Sequence, residues 1–165
     1  QSLVEELRSS GIEVVTEADD RASIVLIGFD TENTSEKIRN TCIMLGKEVA
    51  YLATNPDLVC PVSFGYIPDC GSMARLIEAS TGRFPEFFGK PSKHTLDYII
   101  QETGYEPDEI AIVGDRLYTD IAVADQSDVT SILVLSGEST REDVKTSDVK
   151  PDVILEDLSE ITKML

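Results

Sequence analysis

The sequence of 165 residues predicts an α/β fold built on a mostly parallel sheet. Short apolar runs alternate with stretches of helical periodicity along the chain, which is the order expected when helices connect parallel strands. Residues that favour turns separate these stretches. The run 110–113 is continuously apolar and rich in β-branched residues, which is typical of a strand buried on both faces.

The first half of the chain contains three predicted helices, each followed or ended by a glycine, the residue that most readily closes a helix. A capping box of Asn33 and Glu36 predicts the start of the second helix. Apolar runs predict the strands, and prolines mark one irregular loop. The predicted elements are, in order, helix 2–10, strand 12–15, strand 22–29, helix 33–45, strand 48–53, loop 58–69 with at most one short strand, and helix 71–81.

The second half continues the same alternation. Ser92 and Thr119 predict helix N-termini, because their hydroxyl oxygens accept hydrogen bonds from the first helical turn. Gly104 predicts the end of the first of these helices. The predicted elements are, in order, strand 85–89, helix 92–103, strand 110–114, helix 119–126, strand 131–135, a helical turn from 140, strand 152–155 and helix 158–165.

The composition argues against several classes of partner. The chain carries 14 basic and 31 acidic residues, a net charge of −17, which repels nucleic acid and anionic membranes. No apolar run is long enough to span a membrane. Three cysteines without a Cys-x-x-Cys pair predict neither a disulfide framework nor a zinc site, and they favour a reducing, cytoplasmic location. The sequence leaves the oligomeric state open, including a homo-oligomer.

Asp115 and Asp120 form the strongest candidate site. Asp115 directly follows strand 110–114, and Asp120 would lie in the first turn of the helix that Thr119 caps. Open α/β sheets bind ligands at the carboxyl ends of their strands, where carboxylate oxygens suit Mg²⁺ and Mg²⁺ in turn suits phosphate. The alternative is that Asp115 only closes a turn and Asp120 only favours a helix N-terminus. The agreement of strand, glycine and helix favours the metal site.

Lys90 is the second candidate. It follows the short apolar strand 85–89, and Pro91 and Ser92 fix the backbone after it. If this strand neighbours strand 110–114 in a parallel sheet, Lys90 and Asp115 emerge at the same edge. A lysine there would neutralise phosphate oxygens and stabilise the charge that develops in phosphoryl transfer. The alternative is that Lys90 is one surface lysine among 14 basic residues.

Together these segments resemble the haloacid dehalogenase (HAD) superfamily of phosphatases, and within it the NagD-like, p-nitrophenylphosphatase-type branch. Gly89-Lys90-Pro91 is similar to the third motif of that family, and Gly-Asp-Arg-Leu-Tyr-Thr-Asp at 114–120 is similar to the fourth. The resemblance covers nearly the whole chain, because other segments look like parts of the family's cap domain and core. These segments are 27–30, 53–57, 78–82, 135–140 and 151–152.

The resemblance implies a Rossmann-like core with an inserted α/β cap domain, Mg²⁺ and an aspartyl-phosphate intermediate. Residues 1–84 would form the cap domain, with residues 1–11 assigned either to it or to the end of a preceding core segment. Residues 85–165 would form the C-terminal part of the core. In this scheme Asp115 and Asp120 form the metal site, the first as ligand and the second as its support. Lys90 holds the phosphate and the nucleophile.

The first motif of the family has no counterpart in this sequence. That motif is a strand ending in Asp-x-Asp that supplies the nucleophile and the general acid/base, and it would lie before Gln1, as would the second motif. We therefore expect a Mg²⁺-dependent phosphatase of a small phosphorylated metabolite, such as a sugar phosphate or a nucleotide, whose nucleophile lies in a segment outside this sequence. The alternative is a non-catalytic module of the same fold that binds metal and phosphate or serves as an interaction partner.

Asp30 is a third candidate, because the apolar run 24–29 ends in an acid-x-acid pattern formed by Asp30 and Glu32. Asp30 as nucleophile and Glu32 as acid/base would be chemically reasonable, since a carboxylate can form an acyl phosphate. However, Asp30 ahead of Asn33 and Glu36 is also ordinary loop-to-helix chemistry. The segment is closer to the cap strand of the family than to its nucleophile motif.

Overall fold

The computed structural model describes residues 2–125 and 127–163. The chain divides into two compact units, one containing the residues up to Phe87 and the other the residues from Phe88 onward. Each unit contains a three-stranded parallel sheet. This architecture confirms the predicted α/β fold class with mostly parallel strands.

The first unit combines a parallel sheet, a separate hairpin and three helices. In chain order its elements are α1 (Ser2–Ser9), β1 (Ile24–Ile27), α2 (Ser35–Leu45), β2 (Ala50–Ala53), β3 (Val59–Val62), β4 (Gly65–Pro68), α3 (Cys70–Thr81) and β5 (Glu86–Phe87). The sheet has the order β1-β2-β5, and β3 pairs with β4 in antiparallel fashion. Buried Leu45, Tyr51 and Ile77 form the core of this unit, because α2, β2 and α3 each turn an apolar residue inward.

Local side-chain chemistry sets the ends of α2 and α3. The Thr34 hydroxyl accepts a hydrogen bond from the Lys37 backbone N–H at 3.2 Å and so caps α2. The predicted cap, Asn33, is therefore wrong by one residue. Asp69 caps α3 by accepting from the Cys70 N–H, and Gly82 ends that helix at a φ of 70°, where glycine is favoured over residues with a Cβ.

The second unit is organised around three parallel strands. In chain order its elements are α4 (Lys93–Thr103), β6 (Ala111–Gly114), β7 (Thr130–Val134), α5 (Arg141–Thr146) and β8 (Val153–Leu155). Short 3-10 helices span Pro107–Glu109, Ile121–Val123 and Leu158–Lys163. The sheet has the order β6-β7-β8, with Gly114 opposite Leu133 where β6 ends. The loops that follow β6 and β7 therefore start at the same edge of the sheet.

The core of the second unit lies beneath that edge. Leu117, Ile121 and Leu133 are buried together. Two of these residues belong to the segment that follows β6, so apolar burial fixes the path of the chain immediately after Asp115. This burial positions the polar residues between them.

Two predictions for the first unit are wrong. Residues 12–15 form no strand, because Ile12 and Val15 are exposed and the Val14 carbonyl accepts a hydrogen bond from the Arg8 side chain at 2.8 Å. The predicted loop 58–69 is the hairpin of β3 and β4, in which Pro61 and Pro68 are accommodated because the pair lies outside the larger sheet.

Two predicted helices in the second unit are also shorter than expected. In place of helix 119–126 there is the 3-10 helix Ile121–Val123, and the predicted N-cap, Thr119, is itself buried. The backbone N–H groups of Asp120 and Ile121 both donate to the Arg116 carbonyl, so the chain wraps tightly on the residue after Asp115. The predicted helix 158–165 is the 3-10 helix Leu158–Lys163. Gln126, Met164 and Leu165, which these predictions included, lie outside the described residues.

The strand before Lys90 does not pair as expected. β5 lies beside β2, with Glu86 opposite Leu52 and Phe87 opposite Ala53, and among the described residues it has no pairing with β6. The position of Lys90 must therefore have another explanation. Of the helices within 2–125 and 127–163, none has both the length and the apolar character needed to cross a bilayer.

Candidate active site

Asp115 is the first residue after β6, and two hydrogen bonds from the loop after β7 hold it in place. Its Oδ2 accepts from the Glu138 backbone N–H at 2.9 Å, and its carbonyl oxygen accepts from the Ser139 N–H at 3.0 Å. Both donors come from the neighbouring parallel strand's exit loop. The carboxylate is thus fixed in direction by backbone groups, which is the arrangement that a binding residue requires.

Gly137 provides the space for this carboxylate. A Cβ at position 137 would lie 2.1 Å from Asp115 Oδ2 and 2.4 Å from Asp115 Cβ, which is far inside van der Waals contact. Any larger residue would displace Asp115 or the loop. The glycine is therefore needed for close approach of the two loops and not for an unusual backbone angle.

Asp120 is the buried member of the site, with 7% of its surface exposed. Its Oδ2 accepts from the Arg116 backbone N–H at 3.1 Å, and its Oδ1 accepts from the Lys90 ammonium group. Gly114 makes room for it, because a Cβ there would lie 2.1 Å from the Asp120 Cβ. Both oxygens of Asp120 are thus engaged by donors of the protein.

Lys90 lies in the turn before α4, and its peptide bond to Pro91 is cis. The ammonium group pairs with Asp120, while the lysine side chain is 53% exposed and the aspartate side chain 10% exposed. The structure therefore joins Lys90 directly to Asp120, and Asp115 is connected to them through the loop 115–120. The expected common strand edge is not the reason for this proximity, because β5 pairs with β2.

Glu138, Arg116 and Tyr118 form a second polar group at the site, which the sequence reasoning missed. Glu138 Oε2 accepts from Arg116 Nε at 2.7 Å, and Glu138 Oε1 accepts from the Tyr118 hydroxyl at 3.0 Å. This polar group could have been predicted from the parallel pairing of β6 and β7, because the loops that follow neighbouring parallel strands meet.

The donor set at Asp115 fits Mg²⁺. Among the described residues, no donor hydrogen-bonds to Asp115 Oδ1, whereas Oδ2 is held by Glu138. Within 2–125 and 127–163, no group of three or more His, Cys, Asp or Glu side chains is arranged around a common point. Mg²⁺ needs no such group, because it is commonly bound through one or two carboxylates, with waters and substrate phosphates as further ligands. Asp115 could therefore serve as a direct ligand, while Asp120 is committed to Lys90 and the loop backbone.

Asp30 lies in the first unit, three residues after the end of β1, and both oxygens of its carboxylate accept hydrogen bonds. Oδ2 accepts from the Lys37 ammonium group at 2.7 Å, and Oδ1 accepts from the Glu32 backbone N–H at 2.8 Å. Lys37 is the main reason that the pKa of Asp30 lies below its ordinary value. These contacts are those of a residue that fastens a turn to the following helix, α2.

Comparison with known proteins identifies relatives of both units. The family described as HAD-hydrolase-like matches residues 87–161. The acid sugar phosphatase of Staphylococcus epidermidis is 32% identical over 141 residues, which cover 86% of this chain and 54% of that protein. The chain thus spans about half the length of the curated relatives it matches.

Solved structures give a similar result. A 4-nitrophenylphosphatase from Thermotoga maritima has a TM-score of 0.89 and 39% identity, covering 98% of this chain and 61% of that chain. A protein described as a nagD protein has a TM-score of 0.87 and 35% identity, and the match covers 99% of this chain and 62% of that chain. A glycerol phosphate phosphatase from Mycobacterium tuberculosis, solved in complex with magnesium, has a TM-score of 0.90 and 25% identity. The match covers 97% of this chain and 49% of that chain.

Proposed function

We propose that this chain is a member of the NagD-like branch of the HAD superfamily and that it forms the metal-binding and phosphate-binding part of a Mg²⁺-dependent phosphatase; the family match and the similar proteins support this proposal. The substrate is a small phosphorylated metabolite, of the sugar phosphate, nucleotide or p-nitrophenyl phosphate type. Relatives named as acid sugar, 4-nitrophenyl and glycerol phosphate phosphatases support this substrate class.

The observation that carries the proposal is the ion pair of Lys90 and Asp120 on the loop that begins with Asp115. A chain with a net charge of −17 repels phosphate over most of its surface, so a phosphate site needs local positive charge. Lys90 supplies that charge and is half exposed. Because an ammonium group has three N–H donors, Lys90 can keep Asp120 as a partner and still donate to a phosphate oxygen.

Each residue has a separate task in this proposal. Asp115 would hold Mg²⁺ through Oδ1, and bound Mg²⁺ would neutralise charge on the phosphate oxygens. Asp120 holds Lys90 in position from the buried side and supports the metal site through the loop backbone. Lys90 binds the phosphate and stabilises negative charge that develops on it.

Attack on phosphorus in this family is assigned by the resemblance to an aspartate that forms an aspartyl-phosphate. No residue of this sequence matches that motif in its family context, so we propose that a segment not contained in this sequence supplies the nucleophile. We also propose that residues 1–84 form the cap domain and residues 85–165 the C-terminal part of the core. The three free cysteines and the acidic charge support a cytoplasmic setting without nucleic acid or membrane partners.

The proposal is tested by calorimetric titration of the chain with Mg²⁺. Asp115→Asn should raise the Kd for Mg²⁺ by at least about tenfold, because it replaces the charged ligand with a neutral amide. Asp108→Asn, which changes an exposed aspartate in a 3-10 helix of the same unit, is the matched control and should leave the Kd unchanged. Equal affinities in the parent chain and in Asp115→Asn would remove Asp115 from the metal site.

Hydrolysis of p-nitrophenyl phosphate separates the enzyme from a binding module. We expect Mg²⁺ binding without turnover by this chain, and turnover once the segment with the nucleophile is present. Mg²⁺-dependent turnover by the chain alone, abolished in Asp115→Asn, would place a nucleophile within these residues and make Asp30 the leading candidate. Absence of turnover with that segment present would favour the non-catalytic module.

A further inference from the structure

One residue of the loop after β7 contacts three residues of the loop after β6. The Glu138 backbone N–H donates to Asp115 Oδ2, its Oε2 accepts from Arg116 Nε, and its Oε1 accepts from the Tyr118 hydroxyl. The main chain and the side chain of Glu138 therefore engage the same short segment from two directions. This combination distinguishes Glu138 from the other acidic residues described at the site.

We propose that Glu138 is a positioning residue that holds the Asp115 carboxylate in the orientation that binds Mg²⁺; this inference rests on the proposed function. The hydrogen bond to Oδ2 comes from the backbone, so it forms only while the loops after β6 and β7 keep their relative position. The Glu138 side chain maintains that position through its contacts with Arg116 and Tyr118. With Oδ2 held by the Glu138 N–H, Oδ1 would be available to bind Mg²⁺.

The charges at the site support this role. A bare carboxylate beside a phosphate site would repel the substrate, but the Glu138 side chain is paired with the Arg116 guanidinium at 2.7 Å. The arginine side chain is 21% exposed and the glutamate side chain 43% exposed, so the pair is only partly screened by water. Glu138 thus fixes the loops without adding an unpaired negative charge.

Loss of the Glu138 side-chain contacts should change the affinity for Mg²⁺ more than the stability of the fold. A partly exposed ion pair contributes little to overall stability. Hydrogen-bond partners of a metal ligand, by contrast, typically change metal affinity by about 10-fold to 100-fold when they are removed. Because Glu138 acts through its placement of Asp115, we expect the low end of that range.

The test is calorimetric titration with Mg²⁺ of the parent chain, Glu138→Ala, Glu138→Gln and Glu142→Ala. Glu142→Ala is the matched control, because Glu142 is an exposed glutamate of the same unit that pairs with Lys145. Glu138→Ala should raise the Kd for Mg²⁺ by about tenfold with an unchanged unfolding midpoint. Glu138→Gln, which keeps an acceptor for Arg116 or Tyr118, should recover part of the affinity. The control should match the parent chain.

A double variant shows whether Glu138 acts through Arg116. Arg116→Ala should weaken Mg²⁺ binding. Glu138→Ala should then raise the Kd for Mg²⁺ by a smaller factor in the Arg116→Ala variant than in the parent chain. Full additivity of the two changes would overturn the proposed route. An unchanged Kd in Glu138→Ala, together with loss of binding in Asp115→Asn, would overturn the inference and leave the proposed function standing. An unchanged Kd in Asp115→Asn would overturn both.

Discussion

Gly137 and Asp115 are in such close contact that no side chain fits between them: a Cβ on Gly137 would lie 2.1 Å from Asp115 Oδ2. The two residues come from the exit loops of neighbouring parallel strands, β7 and β6. The orientation of the Asp115 carboxylate therefore depends on a glycine that has no functional group. Changing this glycine tests the geometry of the site without changing its chemistry.

Gly137→Ala should displace the Asp115 carboxylate and raise the Kd for Mg²⁺ by about tenfold, as expected when the support of a metal ligand is lost. Calorimetric titration measures the effect. Gly46→Ala is the control, because Gly46 has a φ of −70° and its added Cβ would lie 3.3 Å from the Ile43 carbonyl oxygen, a much longer distance than the 2.1 Å at Gly137. Metal affinity in Gly137→Ala equal to that of the control would contradict the role of close packing.

Lys90→Ala should weaken binding of phosphate or tungstate by at least about tenfold, because it removes a charge-assisted hydrogen bond worth roughly 1.5–3 kcal/mol. Thermal-shift titration with these anions measures the loss. The free energy of unfolding should fall by only about 1–2 kcal/mol, since Asp120 keeps its bond from the Arg116 N–H and the ion pair is partly solvated.

Lys93→Ala is the matched control for this change, because Lys93 is an exposed lysine at the start of α4, three positions after Lys90. The control should bind tungstate as the parent chain does. If both variants respond equally to tungstate, the effect is one of general charge and Lys90 does not contact the anion.

Much of the local structure around the candidate site could be predicted because short-range chemistry determines it. The apolar run before Gly114 predicts a strand that ends at this glycine, and β6 does end there, with Asp115 next. The predicted burial of this strand on both faces is wrong, because β6 is an edge strand of the described sheet and Ala111 and Val113 are exposed. Ser92 caps α4 as predicted, and the helical turn predicted from residue 140 is α5, which Thr140 caps. At the end of this strand and at the start of these two helices the local preference and the final structure agree, so the sequence alone is informative there.

The remainder depends on contacts between segments distant in sequence. Helix 119–126 is reduced to a 3-10 helix because Asp120 accepts from Lys90 and the Arg116 N–H, which bends the chain toward the site. Nothing near Glu138 in the sequence indicates that it contacts Asp115. That contact follows from the pairing of β6 with β7, which is a property of the fold and not of either segment.

Asp30→Asn should reduce the acid sensitivity of folding and leave Mg²⁺ affinity unchanged. The pKa of Asp30 is held below its ordinary value of 3.8, chiefly by Lys37. Its contribution to stability is therefore complete above about pH 4 and is lost as the pH falls through the lower, folded-state pKa. Urea unfolding at a series of pH values should show the difference between parent chain and variant narrowing toward low pH.

Lys37→Gln provides the control for this linkage, because it removes the cation that lowers the pKa of Asp30 and leaves the aspartate in place. Like Asp30→Asn, Lys37→Gln should lose less unfolding free energy than the parent chain as the pH is lowered. A difference in unfolding free energy that stays constant with pH would contradict the assignment to Asp30. Loss of Mg²⁺ binding in Asp30→Asn would instead connect Asp30 to the active site.

Arg83→Lys should destabilise the first unit, because the Arg83 guanidinium joins the end of α2 to the start of β2. It donates to the carbonyl oxygens of Leu45, Lys47 and Val49 at 3.2, 2.9 and 2.6 Å. A lysine has a single compact ammonium group that cannot span these three acceptors. We expect the free energy of unfolding to fall by about 1–3 kcal/mol, measured by urea unfolding.

Arg39→Lys is the comparison for that change, because Arg39 is an exposed arginine whose ion pair with Glu36 lies within α2. Arg39→Lys should change the free energy of unfolding by no more than about 0.5 kcal/mol. Mg²⁺ affinity should be the same in both variants, since Arg83 belongs to the first unit and the proposed metal ligand to the second. Equal stability of the two variants would show that the three carbonyl contacts of Arg83 contribute no more than an exposed ion pair.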